Sequence, residues 1–368
     1  MILKNGRVLT ERAIFEETDV VVEDGKIVSV GKTSAPGEDV SGAYVVPGLI
    51  DLHTHGIYGF DHLDGDPEAT AKMRRFYAAQ GTTGILATVM TAPGETMRRA
   101  VENAMKTRPG DGATIFGIYL EGPFFSSLRN GAQLPDALRL PDPGFLEELI
   151  SASGRSVKIV SLAPELPGAL DLIRTRKDVS FFLGHTAADY ETARQAIDAG
   201  AKGVTHTFNQ MEPFHHRAPG PIGAAVESSV FCECITDGLH VHPSAVRLLF
   251  QAIGRERFVS ITDSLRPTGL PDGEYVSGGQ KVDVKDGLAR LKSGVIAGST
   301  LTMLQGVRNL IRFGLRIEDA FYVSTATPAK AAGIFDEVGS ITVGKRADLL
   351  VLDRELALKT VVIGGEKQ

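Results

Sequence analysis

Two histidines one residue apart, His53 and His55, follow the apolar run 49–52. On extended chain, residues i and i+2 face the same side, so both imidazoles can reach one ion. Further along, Glu121 follows Tyr119-Leu120, His185 follows Leu183-Gly184, His206 follows Val204-Thr205, and Asp263 follows Ser260-Ile261-Thr262. One imidazole at a strand end is commonly a hydrogen-bonded structural residue. Four histidines and two acids at the ends of five strands form a set. Neutral imidazoles with a carboxylate suit zinc or a similar divalent ion. Such an ion, held with one position open, lowers the pKa of bound water from about 15.7 to about 7 and so supplies hydroxide for attack on an amide carbonyl. Asp263 is suited to accept the water proton and return it to the leaving nitrogen. The chemistry expected is metal-assisted hydrolysis.

The elements that would position these groups are apolar runs alternating with helix-period segments, the pattern of parallel βα units. Eight runs are expected as strands: 49–52, 84–90, 114–120, 157–162, 179–183, 203–205, 230–235 and 258–261. Helices are expected over 67–80, 95–107, 190–199 and 243–253, where apolar residues recur at helical spacing. Eight such strands make a (β/α)8 TIM-like barrel, whose site lies at the C-terminal strand ends. The two ends of the chain read differently. Short β-rich runs at 20–22 and 26–30, and again at 341–343, 348–352 and 359–363, are broken by turns. Neither end makes a core alone. The expected fold is therefore α/β: a barrel over 48–333, with a small β-sandwich domain built from 1–47 plus 334–368.

A chain of 368 residues accommodates a barrel of about 250 residues and an appendage. With 43% hydrophobic and 23% charged residues, the disordered and fibrous classes are excluded. The 39 basic and 45 acidic residues leave a net charge of −6, so no global basic field exists for nucleic acid or an anionic membrane. Any anion site must be local. No stretch approaches the ~20 apolar residues of a membrane span. The opening residues Met1 to Arg7 turn polar after three positions, unlike a secretory leader, and a cytoplasmic location is expected. Cys232 and Cys234 are the two cysteines and are expected to be buried, reduced thiols.

The run Pro47-Gly48-Leu49-Ile50-Asp51-Leu52-His53-Thr54-His55-Gly56 resembles the opening signature of the amidohydrolase superfamily. Leu120-Glu121-Gly122-Pro123-Phe124, Ala163-Pro164-Glu165, Gly184-His185-Thr186 and Thr205-His206-Thr207-Phe208-Asn209-Gln210-Met211 resemble its N-acetylglucosamine-6-phosphate deacetylase family. So do Asp237-Gly238-Leu239-His240 and Ala297-Gly298-Ser299-Thr300-Leu301-Thr302-Met303, before a superfamily-like Gly344-Lys345-Arg346-Ala347-Asp348-Leu349. The segments keep that family's order over nearly the whole chain.

The resemblance implies that Glu121, His185 and His206 hold a main divalent ion and that Asp263 is the catalytic acid/base. His53 and His55 would complete a second site with Glu121 bridging, giving one or two ions per subunit. Zinc is foremost, with Fe2+, Mn2+ or Co2+ as alternatives. A bridging carboxylated lysine is not expected, because Lys158 lies near the start of its strand. The implied substrate is a phosphosugar, N-acetyl-D-glucosamine 6-phosphate, deacetylated to D-glucosamine 6-phosphate and acetate. Arg217, reaching in from a neighbouring subunit of a homodimer, and His240 would bind the phosphate. Ala132, Asn209, Gln210, Ile296, Ala297 and Gly298 would contact the rest of the substrate. His215 and His216 share the Arg217 loop, either as further donors or as solvated residues, whereas His62 and His242 read as surface or packing residues. Two departures from many relatives stand near the sugar: Gln210 in place of alanine, and Arg129-Asn130-Gly131-Ala132-Gln133 in place of a basic segment ending in histidine. The alternatives are another N-acetylated amino sugar, such as N-acetylgalactosamine 6-phosphate, or a non-catalytic scaffold.

Overall fold

The computed structural model describes residues 1–107, 110 and 112–368. Eight parallel strands pair in chain order: β1 (Leu49–Thr54), β2 (Thr82–Met90), β3 (Thr114–Glu121), β4 (Val157–Leu162), β5 (Ser180–Leu183), β6 (Gly203–Val204), β7 (Phe231–Ile235) and β8 (Phe258–Ile261). Every residue of β1 and β2 is buried. Burial on both faces is why these segments are largely apolar along their length rather than alternating. The ring closes between β8 and β1. There Thr54 bridges Ser264, the Asp263 N–H donates to His53 O at 2.8 Å, and the His55 N–H donates to Ser264 O at 2.8 Å. Leu52, Leu86, Ile159, Phe182, Ile235 and Val259 fill the interior.

Helices follow each strand: α1 (Pro67–Ala79), α2 (Gly94–Ala104), α3 (Pro143–Ala152), α4 (Ala169–Thr175), α5 (Tyr190–Ala199), α6 (Gly220–Val226), α7 (Pro243–Ile253) and α8 (Met303–Arg312). Their starts are local chemistry. Asp66 and Asp142 cap α1 and α3 with proline at the first helical position, Asp189 caps α5, and the His242 ring accepts the Ser244 N–H at the start of α7. Among the described residues, no helix is long and apolar enough to cross a membrane.

The termini join in one eight-stranded sheet, as expected. Its seam is Tyr44–Pro47 paired antiparallel with Leu349–Leu352. Leu3, Val20 and Ile27 from the front share one apolar cluster with Leu349, Val351 and Val362 from the back. The expected strand at 341–343 is only an isolated bridge between Thr10 and Ile341. Val343 is exposed and the chain turns at Gly344 (φ 93°), which leaves no room for a ladder. The helix expected over 95–107 ends at Ala104.

One unit was not expected. Between β8 and α8 lies an antiparallel meander, Gly273–Ser277, Gln280–Lys285 and Leu288–Leu291. Its two-residue turns, Gly278-Gly279 and Asp286-Gly287, all have positive φ, as type I′ hairpin turns require. The alternating burial of 280–285 puts Val282 and Val284 against Leu265 and Ala297, beside the C-terminal end of β8.

Candidate active site

The six side chains singled out above meet at the C-terminal mouth of the barrel. Three of them leave their strands through left-handed backbone: His185 (φ 45°), His206 (φ 27°) and Asp263 (φ 50°). Non-glycine residues adopt that region at a cost, and such residues cluster where function demands an abrupt turn. Glu121 Oε1 lies 3.1 Å from His206 Nε2, 3.3 Å from His185 Nε2 and 3.5 Å from His53 Nε2. Its Oε2 lies 3.4 Å from His55 Nε2. Asp263 Oδ1 is 3.1 Å from His55 Nε2 and 3.6 Å from His53 Nε2. Two groupings suited to a metal ion result: His53, His55 and Glu121; and Glu121, His185 and His206.

The donor set fits a divalent ion. His185 Nε2 and His206 Nε2 point at each other across 3.1 Å. A tetrahedral zinc site with bonds near 2.0–2.1 Å has ligand atoms about 3.3 Å apart, the scale seen among these three side chains. His53 Nε2, fully buried, has no hydrogen-bond partner. The outer nitrogens of two rings are held: His185 Nδ1 is 2.9 Å from Arg129 O, and His53 Nδ1 is 3.1 Å from Glu233 Oε2. Burial alone would depress the His53 pKa, but the carboxylates of Glu121 and Asp263 hold it well above its ordinary value. Burial alone would raise Glu121, yet the His53 charge and hydrogen bonds to His185 and His206 hold it well below its usual range. Asp263 is lowered likewise, against burial, by His53 and His55.

A cavity of about 250 Å³ opens beside it, lined by His55, Glu121, His185, His206 and Asp263. Ala132, Asn209, Gln210, His240, Ile296, Ala297 and Gly298 form part of its other walls. Gly298 has φ 45°, and a Cβ there would sit 2.6 Å from Leu265 Cγ and 2.8 Å from Asp263 O. Glycine thus lets this loop close against the acid. His240 Nδ1 is 2.7 Å from Asp237 Oδ2. Arg217 is the exception. It is exposed on the 212–220 loop, with its guanidinium 2.6 Å from His216 Nε2, and it does not line the cavity of its own chain.

Residues 44–367 match the amidohydrolase family. The chain belongs to that family. It is 38% identical to an N-acetylglucosamine-6-phosphate deacetylase of Vibrio furnissii, over 98% of this chain and 92% of that protein. To an N-acetylgalactosamine-6-phosphate deacetylase of Escherichia coli O157:H7 it is 36% identical, over 99% of this chain and 98% of that one. A variant of the Mycobacterium smegmatis N-acetyl-D-glucosamine-6-phosphate deacetylase, solved in complex with N-acetyl-D-glucosamine-6-phosphate, superposes with a TM-score of 0.93 at 37% identity. That match covers 100% of this chain and 98% of the other.

In this amidohydrolase, three further residues hold the site and were not among the expected ones. Gln133 donates from Nε2 to Glu121 Oε2 at 2.6 Å, while its Oε1 accepts the Thr91 N–H at 3.0 Å, which fixes the amide's orientation. Asp51 accepts from Thr262 Oγ1 at 2.5 Å and from the Thr262 N–H at 3.3 Å, tying β1 to β8; burial pushes its carboxyl up to about 7. Glu233 lies against His53. The signal for Glu233 was an acid inside an apolar strand between two cysteines. Those cysteines are free and buried as expected, and burial pushes the Cys232 thiol up to about 12. His62 is also buried, with both ring nitrogens unpartnered.

Proposed function

We propose that this chain is a cytoplasmic enzyme that hydrolyses N-acetyl-D-glucosamine 6-phosphate to D-glucosamine 6-phosphate and acetate. The observation that carries the reading is the convergence of four imidazoles and Glu121 on one point, with Asp263 at the cavity wall. Glu121, His185 and His206 would hold one divalent ion, and His53, His55 and Glu121 a second, zinc being the best match to this ligand set. Such an ion supplies polarisation of an amide carbonyl and a lowered pKa for nearby water. Asp263, ionised among the histidines, takes a proton from the attacking water and delivers it to the amide nitrogen as the C–N bond breaks. Asn209, Gln210, Ala132 and 296–298 enclose the sugar and acetyl group. His240, backed by Asp237, faces the phosphate.

Arg217 completes phosphate binding from a neighbouring subunit of a homodimer. Its exposure outside its own chain's cavity supports that role, and its planar fork suits phosphate oxygens. The epimeric N-acetylgalactosamine 6-phosphate is the second reading, favoured by the Escherichia coli relative at nearly the same identity. The test is acetate release from both 6-phosphates and from unphosphorylated N-acetylglucosamine, alongside elemental analysis of the purified protein. The glucosamine phosphate should turn over fastest with one or two ions bound per chain. Faster turnover of the epimer would reassign the sugar, and no acetate from any of them would overturn the reading.

A further inference from the structure

Glu233 on β7 is fully buried, and nothing in the proposed reaction uses it. Its Oε2 lies 3.1 Å from His53 Nδ1 and also accepts the His206 N–H at 3.2 Å, whereas Oε1 has no partner. One carboxylate oxygen therefore touches a member of each metal-binding group. The two contacts are unequal. The main chain of His206 has other holds, since its carbonyl accepts the Asn209 N–H at 3.0 Å and Asn209 Nδ2 at 3.3 Å. His53 Nδ1 has Glu233, with the Tyr119 ring 4.7 Å away on one side.

The four candidate imidazoles also differ at their outer nitrogens. His53 faces a carboxylate, His185 a backbone carbonyl, and His55 Nδ1 and His206 Nδ1 have no partner. A carboxylate behind a ligating histidine keeps the proton on the outer nitrogen and aims the lone pair of the inner one. Burying a carboxylate with one oxygen unpaired is costly, so a merely space-filling role would be better served by a neutral side chain.

We propose that Glu233 is a positioning residue that makes this a two-ion rather than a one-ion site, by holding His53 with Nε2 directed at the His53–His55–Glu121 group. The inference rests on the metal-dependent reading above and goes beyond it in assigning the second ion's retention to one residue. Glu233→Gln in the full chain keeps the shape and removes the charge. Wild type and variant are titrated with zinc against a competing chelator, and ions per subunit are counted by elemental analysis. Wild type should hold two zinc ions. The variant should hold one as tightly as wild type and the other about 10- to 100-fold more weakly. In a His53→Asn background, Glu233→Gln should leave the remaining ion's affinity unchanged, because its effect runs through that ring.

Equal affinities in wild type and variant, equal weakening of both ions, or a further loss in the His53→Asn background would each overturn the proposal. A wild type holding a single ion would overturn it while leaving the hydrolase reading intact. A wild type that takes up no zinc would overturn both. Should the glutamine variant fail to fold, Glu233→Asp, which keeps the charge but withdraws the oxygen, should show the same selective weakening.

Discussion

Asp19 in the terminal sheet and Glu121 at the barrel mouth are both buried carboxylates, yet their surroundings are opposites. Asp19 Oδ1 accepts the Asn5 N–H and Oδ2 the Thr33 N–H, each at 2.8 Å, with Lys32 Nζ 3.6 Å away. The protein's own backbone uses that carboxylate up. Glu121 is surrounded by four imidazoles, and nearby His53 Nε2, His55 Nδ1, His206 Nδ1 and Glu233 Oε1 lack partners. Buried polar atoms are nearly always satisfied, so a concentration of exceptions marks a place whose bonding capacity is kept for a ligand. Left-handed backbone occurs in both regions, at Asn5, Ala13 and Asp24 in the terminal sheet and at His185, His206, Phe208, Gln210 and Asp263 around the mouth, at about 1–3 kcal/mol each. The partnering of the buried atoms is therefore what separates them. The lesson is that one carboxylate secures the fold and the other is secured by it.

That contrast can be broken most sharply at the shared ligand. Glu121→Ala removes a member of both groups, so bound metal and acetate release should both vanish while circular dichroism stays native. Undiminished metal would erase the distinction. Asp263→Asn should lower kcat about 1,000-fold with metal content unchanged, as expected of an acid/base rather than a ligand. Loss of metal on elemental analysis would move Asp263 among the ligands. Arg217→Ala should raise KM for the phosphosugar about 10- to 100-fold, as loss of a charged hydrogen bond does, and spare an unphosphorylated substrate. Equal damage to both would reject the phosphate role.

The terminal sheet should respond in stability alone. Asp19→Ala strands two backbone donors and should cost about 2–4 kcal/mol in denaturant unfolding, with kcat per folded molecule unchanged. A kcat that fell with it would join the two regions functionally. The smallest effects are in pH. Hydrogen bonds from the Asn5 and Thr33 amides hold Asp19 below its ordinary pKa. Its stabilisation is therefore present above the unfolded value near 3.9 and lost as pH falls through the lower folded one. Wild type should lose more stability than Asp19→Ala on acidification below about pH 4. Asp348 has the opposite sign, since burial pushes it up to about 6. The folded chain keeps that proton longer than the unfolded one, so its contribution to stability falls as pH rises from about 4 to about 6. Asp348→Asn should remove that slope from thermal melts, and parallel curves would refute it.

The barrel is legible in the sequence because its strands are buried on both faces. Such strands are written as apolar runs ended by glycine or a polar residue, and β4 and β8 coincide with the runs at 157–162 and 258–261. The six polar groups were readable for the same reason, each being placed where such a run ends. The meander escaped because its one-sided burial leaves only a short alternation between paired turn residues. Gln133 and Glu233 escaped because their importance lies in what they touch. His53 and Glu233 are 180 positions apart, and closing the ring is what sets one ring nitrogen against one oxygen. Residue type and order along a chain specify which groups are available and which end of a barrel they occupy. Which nitrogen faces which oxygen depends on distances of a few ångströms between remote segments, and those exist only once the chain has packed.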